Sequence, residues 1–252
     1  DGLEFLKKYN GYTFDELPYS LKRRISGFPI TMYIIEEGTA DEVKFILFKR
    51  INTGGLTLTA QEIRHALNQG VPAKFIAELA NLEAFKDATQ HKIATNRMQD
   101  RDFVTRFIAF YVQGYDNYIK SDLDTFMNAG MRTLKNKTQK ELGAIKNNFI
   151  QTMYLALHIF KDDAFRKRYD LDDRRKPINK ALFETLSVNF AKLNEEEYDI
   201  IWRRRKRFRK NFIRLMNNDE FNRSVSVATG QKSTVNVRFE SIKTLIQETI
   251  ND

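Results

Sequence analysis

The residues of this sequence best suited to chemistry lie in one polar corner of the chain. Arg50, Asn52 and Thr53 supply a cation, an amide and a hydroxyl within four positions, and Gly54 and Gly55 let the backbone approach a ligand closely. Free N–H groups at the start of a following helix attract phosphate or carboxylate. The corner therefore suits an anion, but an unliganded turn between two helices often carries the same residue types.

Two helices are predicted to position this corner. Apolar residues at three- and four-residue spacing indicate one buried stripe on a first helix that ends near Asn52: Val43, Phe45, Ile46, Phe48 and Ile51. Thr59 and Glu62 then match a capping box, in which the threonine hydroxyl accepts a helix N–H and the glutamate reaches back. This pair predicts the start of the second helix.

The stretch from Phe48 to Arg64 resembles the second signature of a known family. This is the ParB/sulfiredoxin-like family that forms the N-terminal part of GmrSD-type restriction proteins and relatives. The stretches Arg97–Phe110, Asn148–Phe165 and Thr229–Phe239 are similar to the same family. The family's first signature, an Asp-Gly-Gln-Gln-Arg segment that carries the nucleotide-phosphate chemistry, does not occur in this sequence. The chain therefore resembles a family member without its front part.

This resemblance implies a nucleotide-sensing, DNA-directed module of a phage-defence, restriction-type protein. The corner would complete a nucleoside-triphosphate site, with or without Mg²⁺, in which Asn52 contacts phosphate or a bound cation. Gly54 and Gly55 would let the backbone approach the nucleotide closely. Arg50 and Thr53 would be the next candidates for contact with it. Hydrolysis by this chain alone is not expected, because the family's catalytic segment is absent, and we assign no catalytic residue.

Nuclease activity in this class lies in a separate His-Asn-His-type domain, which the resemblance implies as a partner. Such a centre needs histidines clustered around a divalent metal. His65, His91 and His158 fall on separate predicted helices with no such spacing. We therefore expect no nuclease centre and no metal site in this chain.

The composition limits the size, the location and the partners that this protein can have. The chain has 252 residues, 42% of them hydrophobic, which is enough for one large or two modest domains. It contains no cysteine, and its apolar runs are too short and too often interrupted by charge to form a membrane span or signal peptide. These features indicate a cytoplasmic protein. The formal charge of +9 suits a polyanionic partner such as DNA.

One convincing strand is predicted, at Pro29–Ile35, and nearly everything after Asp41 has helical periodicity. A lone strand leaves its N–H and C=O groups without partners, so we expect a front segment or a second chain to complete its sheet. The fold class is mainly α: residues 1–70 form the remnant of a small ParB/sulfiredoxin-like α+β unit, and residues 71–252 form a multi-helix bundle.

A second informative stretch runs from Asn194 to Met216, where acids fill the first turn of a predicted helix and bases fill its later turns. The bases are candidates for nucleic-acid binding: Arg203, Arg204, Arg205, Lys206, Arg207, Arg209 and Lys210. The alternative is a solvated face paired with acids elsewhere. Trp202 fits either a partly buried anchor or a platform for stacking bases. A helical DNA-binding or protein-interaction module with no nucleotide role is the alternative function.

Two further charged groups allow two interpretations each. Arg101 and Arg106 lie among Asp100 and Asp102 on a predicted helix, which favours an internal salt-bridge network over phosphate contacts in a groove. The most polar stretch is formed by Asp162, Asp163 and the residues from Asp170 to Lys176, and it ends at Pro177; it is the best candidate for a linker or subdomain boundary. Its aspartates alternate with arginines and indicate a solvated turn rather than a metal site.

Overall fold

The computed structural model describes residues 2–32, 34–36, 38–51 and 57–251, and its regular structure is helical. The helices are α1 Tyr19–Ser26, α2 Asp41–Ile51, α3 Ala60–Leu67, α4 Val71–Asn81, α5 Glu83–Ala88, α6 Gln99–Gln113, α7 Leu123–Thr133, α8 Gln139–Phe160, α9 Lys180–Phe190, α10 Glu195–Arg203, α11 Arg205–Met216, α12 Asp219–Ser224 and α13 Lys232–Asn251. Short 3₁₀ turns include Asn96–Met98, Tyr115–Asn117 and Lys161–Asp163. The prediction of a mainly helical, multi-helix chain is confirmed.

Local side-chain caps explain where two of these helices begin. Thr59 N donates to Glu62 Oε2 at 2.6 Å and Glu62 N donates to Thr59 Oγ1 at 3.2 Å, which closes the predicted capping box of α3. Thr138 and Glu141 form the same reciprocal pair at the start of α8. Each box satisfies N–H groups that a helix start would otherwise leave unpaired.

The helix α9 lies at the centre of the hydrophobic core. Every residue from Ala181 to Phe190 is buried, and α9 packs against α6, α8 and α13. The ring of Phe183 contacts those of Phe85, Phe103 and Phe165, with centroids 5.9, 5.2 and 4.7 Å away. A helix covered on all sides is the natural centre of a bundle.

A small residue allows α6 and α7 to approach closely. A Cβ atom added to Gly130 of α7 would lie 2.6 Å from Ala109 Cα of α6, which is closer than atoms can pack. The glycine therefore sets the separation of these two helices.

Backbone contacts divide the chain into two units, Asp1–Ala40 and Asp41–Asp252. The division falls after Ala40, whereas the sequence interpretation placed it after residue 70, so α2 and α3 group with the bundle. The polar stretch from Asp162 to Pro177, interpreted as a linker, lies within the second unit.

The described residues of the first unit have an apolar surface and form no strand. The prediction of a strand at Pro29–Ile35 is wrong for the described residues of this segment, which form neither strand nor bridge. Ile30, Met32 and Ile34 are exposed, Ile34 by 86%. A strand requires a neighbouring backbone to accept its hydrogen bonds, and the described chain provides none here.

The buried stripe predicted for α2 is also wrong in part. Phe45 is buried, but Val43, Ile46, Phe48 and Ile51 are exposed. The reason is that α2 packs mainly against α3, and a single neighbouring helix covers only one face.

Candidate functional site

The polar corner is described only on its two sides. Asn52, Thr53, Gly54 and Gly55, the residues predicted to contact a nucleotide, lie outside the described residues. Arg50 lies in the last turn of α2 and is exposed. Its neighbour Lys49 has Nζ 3.7 Å from Asp124 Oδ2. The described flank of the corner therefore carries two cations, which suits an anionic ligand.

The chain after the corner is held by Arg97. Arg97 Nε donates to Glu62 Oε1 at 2.9 Å, Nη2 donates to Glu62 Oε2 at 2.9 Å, and Nη2 also donates to the carbonyl of Thr57. The hydrogen bond from Arg97 is the main cause that lowers the pKa of Glu62 below its usual range. Arg97 adopts a left-handed backbone with φ 57° in the 3₁₀ turn that precedes α6. This turn directs its side chain back towards α3.

A buried cation, Arg64, attaches α3 to the bundle. Its side chain is 2% exposed, and Nη1 and Nη2 donate to Asp124 Oδ1 at 2.7 Å and Asp102 Oδ1 at 2.9 Å. Its Nε donates to Gln61 Oε1 at 2.9 Å, and Gln61 Nε2 donates to Thr105 Oγ1 at 3.0 Å. Arg64 thus has a charged or polar acceptor on each of three sides.

Asp102 is shared between three cations. Besides Arg64, it accepts from Arg106 Nε at 3.3 Å and from Lys180 Nζ at 2.7 Å. Burial would raise the pKa of Asp102, but the charges of Arg106, Lys180 and Arg64 outweigh that effect and lower it to about 2. The carboxylate is therefore ionised at every pH near neutrality.

The ion chain continues through the centre of the bundle. Arg106 Nη1 donates to Glu184 Oε2 at 3.0 Å, and Arg238 donates to the other carboxylate oxygen of Glu184. The interpretation of Arg106 as part of an internal salt-bridge network is thus confirmed, although the network is buried rather than at the surface. Arg101 has a different neighbour, His65, with Nη1 3.3 Å from the Nδ1 of that ring.

The basic stretch from Asn194 to Met216 forms two helices, whereas the sequence predicts one. α10 ends at Arg203 and α11 starts at Arg205, with Arg204 between them. Arg204 Nη1 donates to the carbonyls of Thr249 and Ile250 at 2.8 and 2.9 Å, so it caps the end of α13. These hydrogen bonds favour the break between α10 and α11, because they hold the chain against α13 at Arg204.

The seven predicted nucleic-acid-binding residues fall into two groups. The first group has internal partners: Arg204 caps the end of α13, and Arg209 Nη2 lies 3.2 Å from Asp163 Oδ2. Arg203, Lys206, Arg207 and Lys210 are exposed, with Arg203 Nη2 3.9 Å from Asp199 at the surface, and Arg205 is half-buried. The structure therefore directs part of this set inward and part towards solvent.

Arg214 extends the exposed part and is absent from the sequence-derived set. It is exposed and lies four residues after Lys210, which itself lies four residues after Lys206. Steps of three, four or seven residues return to the same face of a helix, so Lys206, Arg207, Lys210 and Arg214 form one surface, the α11 stripe. The signal was available in the sequence as the continued four-residue spacing.

Trp202 lies beside this surface in a stack of rings. The His158 ring lies 3.5 Å from the indole at 5° between planes, and the Tyr198 ring lies 5.9 Å away at 22°. His158 Nε2 is also 3.2 Å from the carbonyl of Trp202. Burial and the charge of Arg205 lower the pKa of His158 below its usual range. These contacts connect α8 to α10 and favour the anchor interpretation of Trp202.

The polar stretch after α8 is a loop fixed by arginines. Asp162 pairs with Arg175 at 2.8 Å, and Asp163 pairs with both Arg168 and Arg209 at 3.2 Å. Asp162 and Asp163 are therefore neutralised by cations in space, as the alternation of charges in the sequence suggested.

One group of side chains in the described part of the chain has ligand atoms close enough for a metal ion: Glu83, Asp87 and His91, all exposed on or just after α5. Glu83 already pairs with Lys86 at 2.8 Å. The three histidines lie beside different residues. His65 contacts Arg101, His91 contacts Asp87, and His158 stacks on Trp202.

No family model, curated protein or solved structure matches this chain. Among the described residues, no helix combines the length and the apolar composition that crossing a bilayer requires.

Proposed function

We propose that this chain is the DNA-directed helical module of a phage-defence, restriction-type protein, and that the α11 stripe contacts the phosphate backbone. The observation that carries the proposal is the charge of α11. Its twelve residues include six cations and no acid, and four of these cations form one exposed surface. Assignment to the defence class is supported by the resemblance of residues 48–64 to the ParB/sulfiredoxin-like family. DNA cleavage would come from a separate His-Asn-His-type domain.

The dimensions of the α11 stripe suit a phosphate backbone. From Lys206 to Arg214 the helix rises about 12 Å, at about 1.5 Å per residue. One strand of a duplex carries a phosphate every 3.4 Å or so along the axis, so the stripe spans about three to four phosphates. Four cations predict a slope of log affinity against log salt near −3.6, or about a 100-fold loss of affinity from 50 to 200 mM salt.

The contact is proposed to involve phosphates rather than bases. Base stacking needs an open aromatic face, and Trp202 is already stacked with His158 and Tyr198. Such a contact positions a protein on DNA without recognising sequence. We therefore expect similar affinity for duplexes of unrelated sequence.

The test is fluorescence anisotropy of a labelled duplex with two triple variants of equal charge change. Lys206→Gln, Lys210→Gln and Arg214→Gln together should lower the affinity at least 10-fold and reduce the salt slope by about 3. The matched control is Lys74→Gln, Lys92→Gln and Lys140→Gln, three exposed lysines on other parts of the bundle. This control should keep the affinity within about 2-fold. An equal loss in both triples would assign binding to net charge and refute the site.

A second candidate function, a nucleoside-triphosphate site at the corner, is favoured by how its flanks are held. Arg97 fixes the chain at Thr57 and Glu62, directly after the corner, and Lys49 and Arg50 place positive charge directly before it. These cations fit a triphosphate. For Mg²⁺ the fit is poorer, because the carboxylate of Glu62 is already engaged by Arg97, so phosphate oxygens and Asn52 would have to supply the ligands.

Triphosphate binding would be measured by calorimetry, with a family-type Asp-Gly-Gln-Gln-Arg segment supplied in trans. We expect binding that Asn52→Ala abolishes and Arg50→Gln weakens, while DNA binding by the α11 stripe is unchanged. Absence of triphosphate binding with the segment present would leave DNA binding as the function. Loss of both activities in Asn52→Ala would instead indicate that the variant is misfolded.

A further inference from the structure

The helix α3 is attached to the bundle in an unusual way for a buried element. Its buried side chains are Gln61, Ile63 and Arg64, of which one is apolar. The hydrophobic core of the described residues begins at Phe75 and includes neither Ile63 nor Phe45 of α2. The segment from α2 to α3 is therefore not continuous with the apolar core that holds α4 to α13 together.

Ion pairs and hydrogen bonds form this attachment instead. Arg64 pairs with Asp102 of α6 and Asp124 of α7 at 2.9 and 2.7 Å, and Glu62 pairs with Arg97 at 2.9 Å. Lys49 of α2 adds a longer pair, at 3.7 Å from Asp124. Apolar burial is non-directional and tolerates sliding, whereas these contacts exist only at one position of α3.

The bundle side of the attachment keeps its charges compensated when Arg64 is removed. Asp102 retains Arg106 and Lys180, at 3.3 and 2.7 Å. Asp124 has a side chain that is 35% exposed and so can be solvated. Separation of α3 would therefore move Arg64 into water without leaving an unpaired charge buried in the bundle.

We propose that α2 and α3 form a separately opening element, in which the ion pairs of Arg64 hold α3 on α6 and α7. In the open state this element leaves the bundle as a unit, while α4 to α13 stay folded. Local opening of this kind is expected of elements with few buried apolar contacts.

The experiment is native-state hydrogen exchange followed by mass spectrometry on the full chain. In the wild-type chain, amides of residues 60–68 should exchange at least 10-fold faster than those of α8 and α9. Arg64→Met should accelerate exchange of residues 60–68 by a further 100-fold or so, which corresponds to about 2.7 kcal/mol. Exchange in α8 and α9 should stay within about 2-fold of wild type.

Two further variants keep the test decisive. Asp124→Asn removes the negative charge that faces Arg64 and should accelerate exchange of residues 60–68 by about 10-fold, even if Arg64→Met does not fold. Lys146→Met removes a surface pair with Glu78, at 2.6 Å, and should change neither region. Equal exchange of residues 60–68 and of α8 and α9 in the wild-type chain, or a parallel rise in both regions in Asp124→Asn, would overturn the proposal.

Discussion

Replacing Glu184 with leucine should destabilise the bundle far more than removing a surface ion pair. The side chains of Glu184 and Arg238 are both 0% exposed, and the carboxylate is held between Arg238 and Arg106. Leucine fills most of the space of the glutamate, so a cavity adds little to the effect. The substitution therefore isolates the consequence of leaving Arg238 without its carboxylate.

The magnitude follows from the surroundings of Arg238. Its Nε has no hydrogen-bond partner among the described residues, and its Nη1 lies 3.5 Å from the carbonyl of Ser224, at the limit of a hydrogen bond. Among the described residues, Glu184 is thus the one acid paired with Arg238. Breaking a buried pair by removing one partner costs about 3–5 kcal/mol. Arg106 keeps Asp102 and adds less to the loss.

The assay is urea unfolding followed by circular dichroism at 25 °C. Glu184→Leu should lower the free energy of unfolding by about 3–5 kcal/mol, and Lys146→Met, which removes the surface pair with Glu78, by less than about 1 kcal/mol. The double variant Glu184→Leu with Arg238→Met should regain at least about 2 kcal/mol relative to Glu184→Leu, because no unpaired charge remains. A loss of 1 kcal/mol or less in Glu184→Leu, or a double variant as unstable as the sum of the single ones, would refute this reasoning.

Three further predictions follow from single contacts. The pKa of Asp102 is lowered from 3.8 to about 2. The carboxylate therefore contributes about 2 kcal/mol of stability that is present above pH 3.8 and lost as the pH falls through 2, and the free energy of unfolding should fall less steeply between pH 5 and 2 in Asp102→Asn. Trp202 is the only tryptophan and stacks on His158, so its fluorescence should be quenched as the imidazole gains a proton, with a midpoint below pH 6.5, and His158→Gln should abolish the transition. Gly130→Val should lower stability by about 1–3 kcal/mol in thermal unfolding, because the added atoms would overlap Ala109; an unchanged Tm would show that α6 and α7 can separate freely.

The exposed cations of α11 also show what charge patterning can predict. Their number and spacing were visible in the sequence, but two of the seven candidates, Arg204 and Arg209, have internal partners. Those partners, Thr249, Ile250 and Asp163, are about 45 residues away along the chain. No local pattern specifies a contact of that separation.

The sequence by itself determined the helices that local chemistry specifies. The capping box at Thr59 predicted where α3 begins, and the helical periodicity after Asp41 predicted a mainly helical chain, because these effects act within one or two turns. Only the tertiary structure decided that Phe45 alone of the predicted α2 stripe is buried, that residues 29–35 lack a strand partner in the described chain, and that Arg64 and Glu184 are buried. Burial and strand pairing depend on which distant segments come together, and hydrophobic periodicity contains no information about that choice.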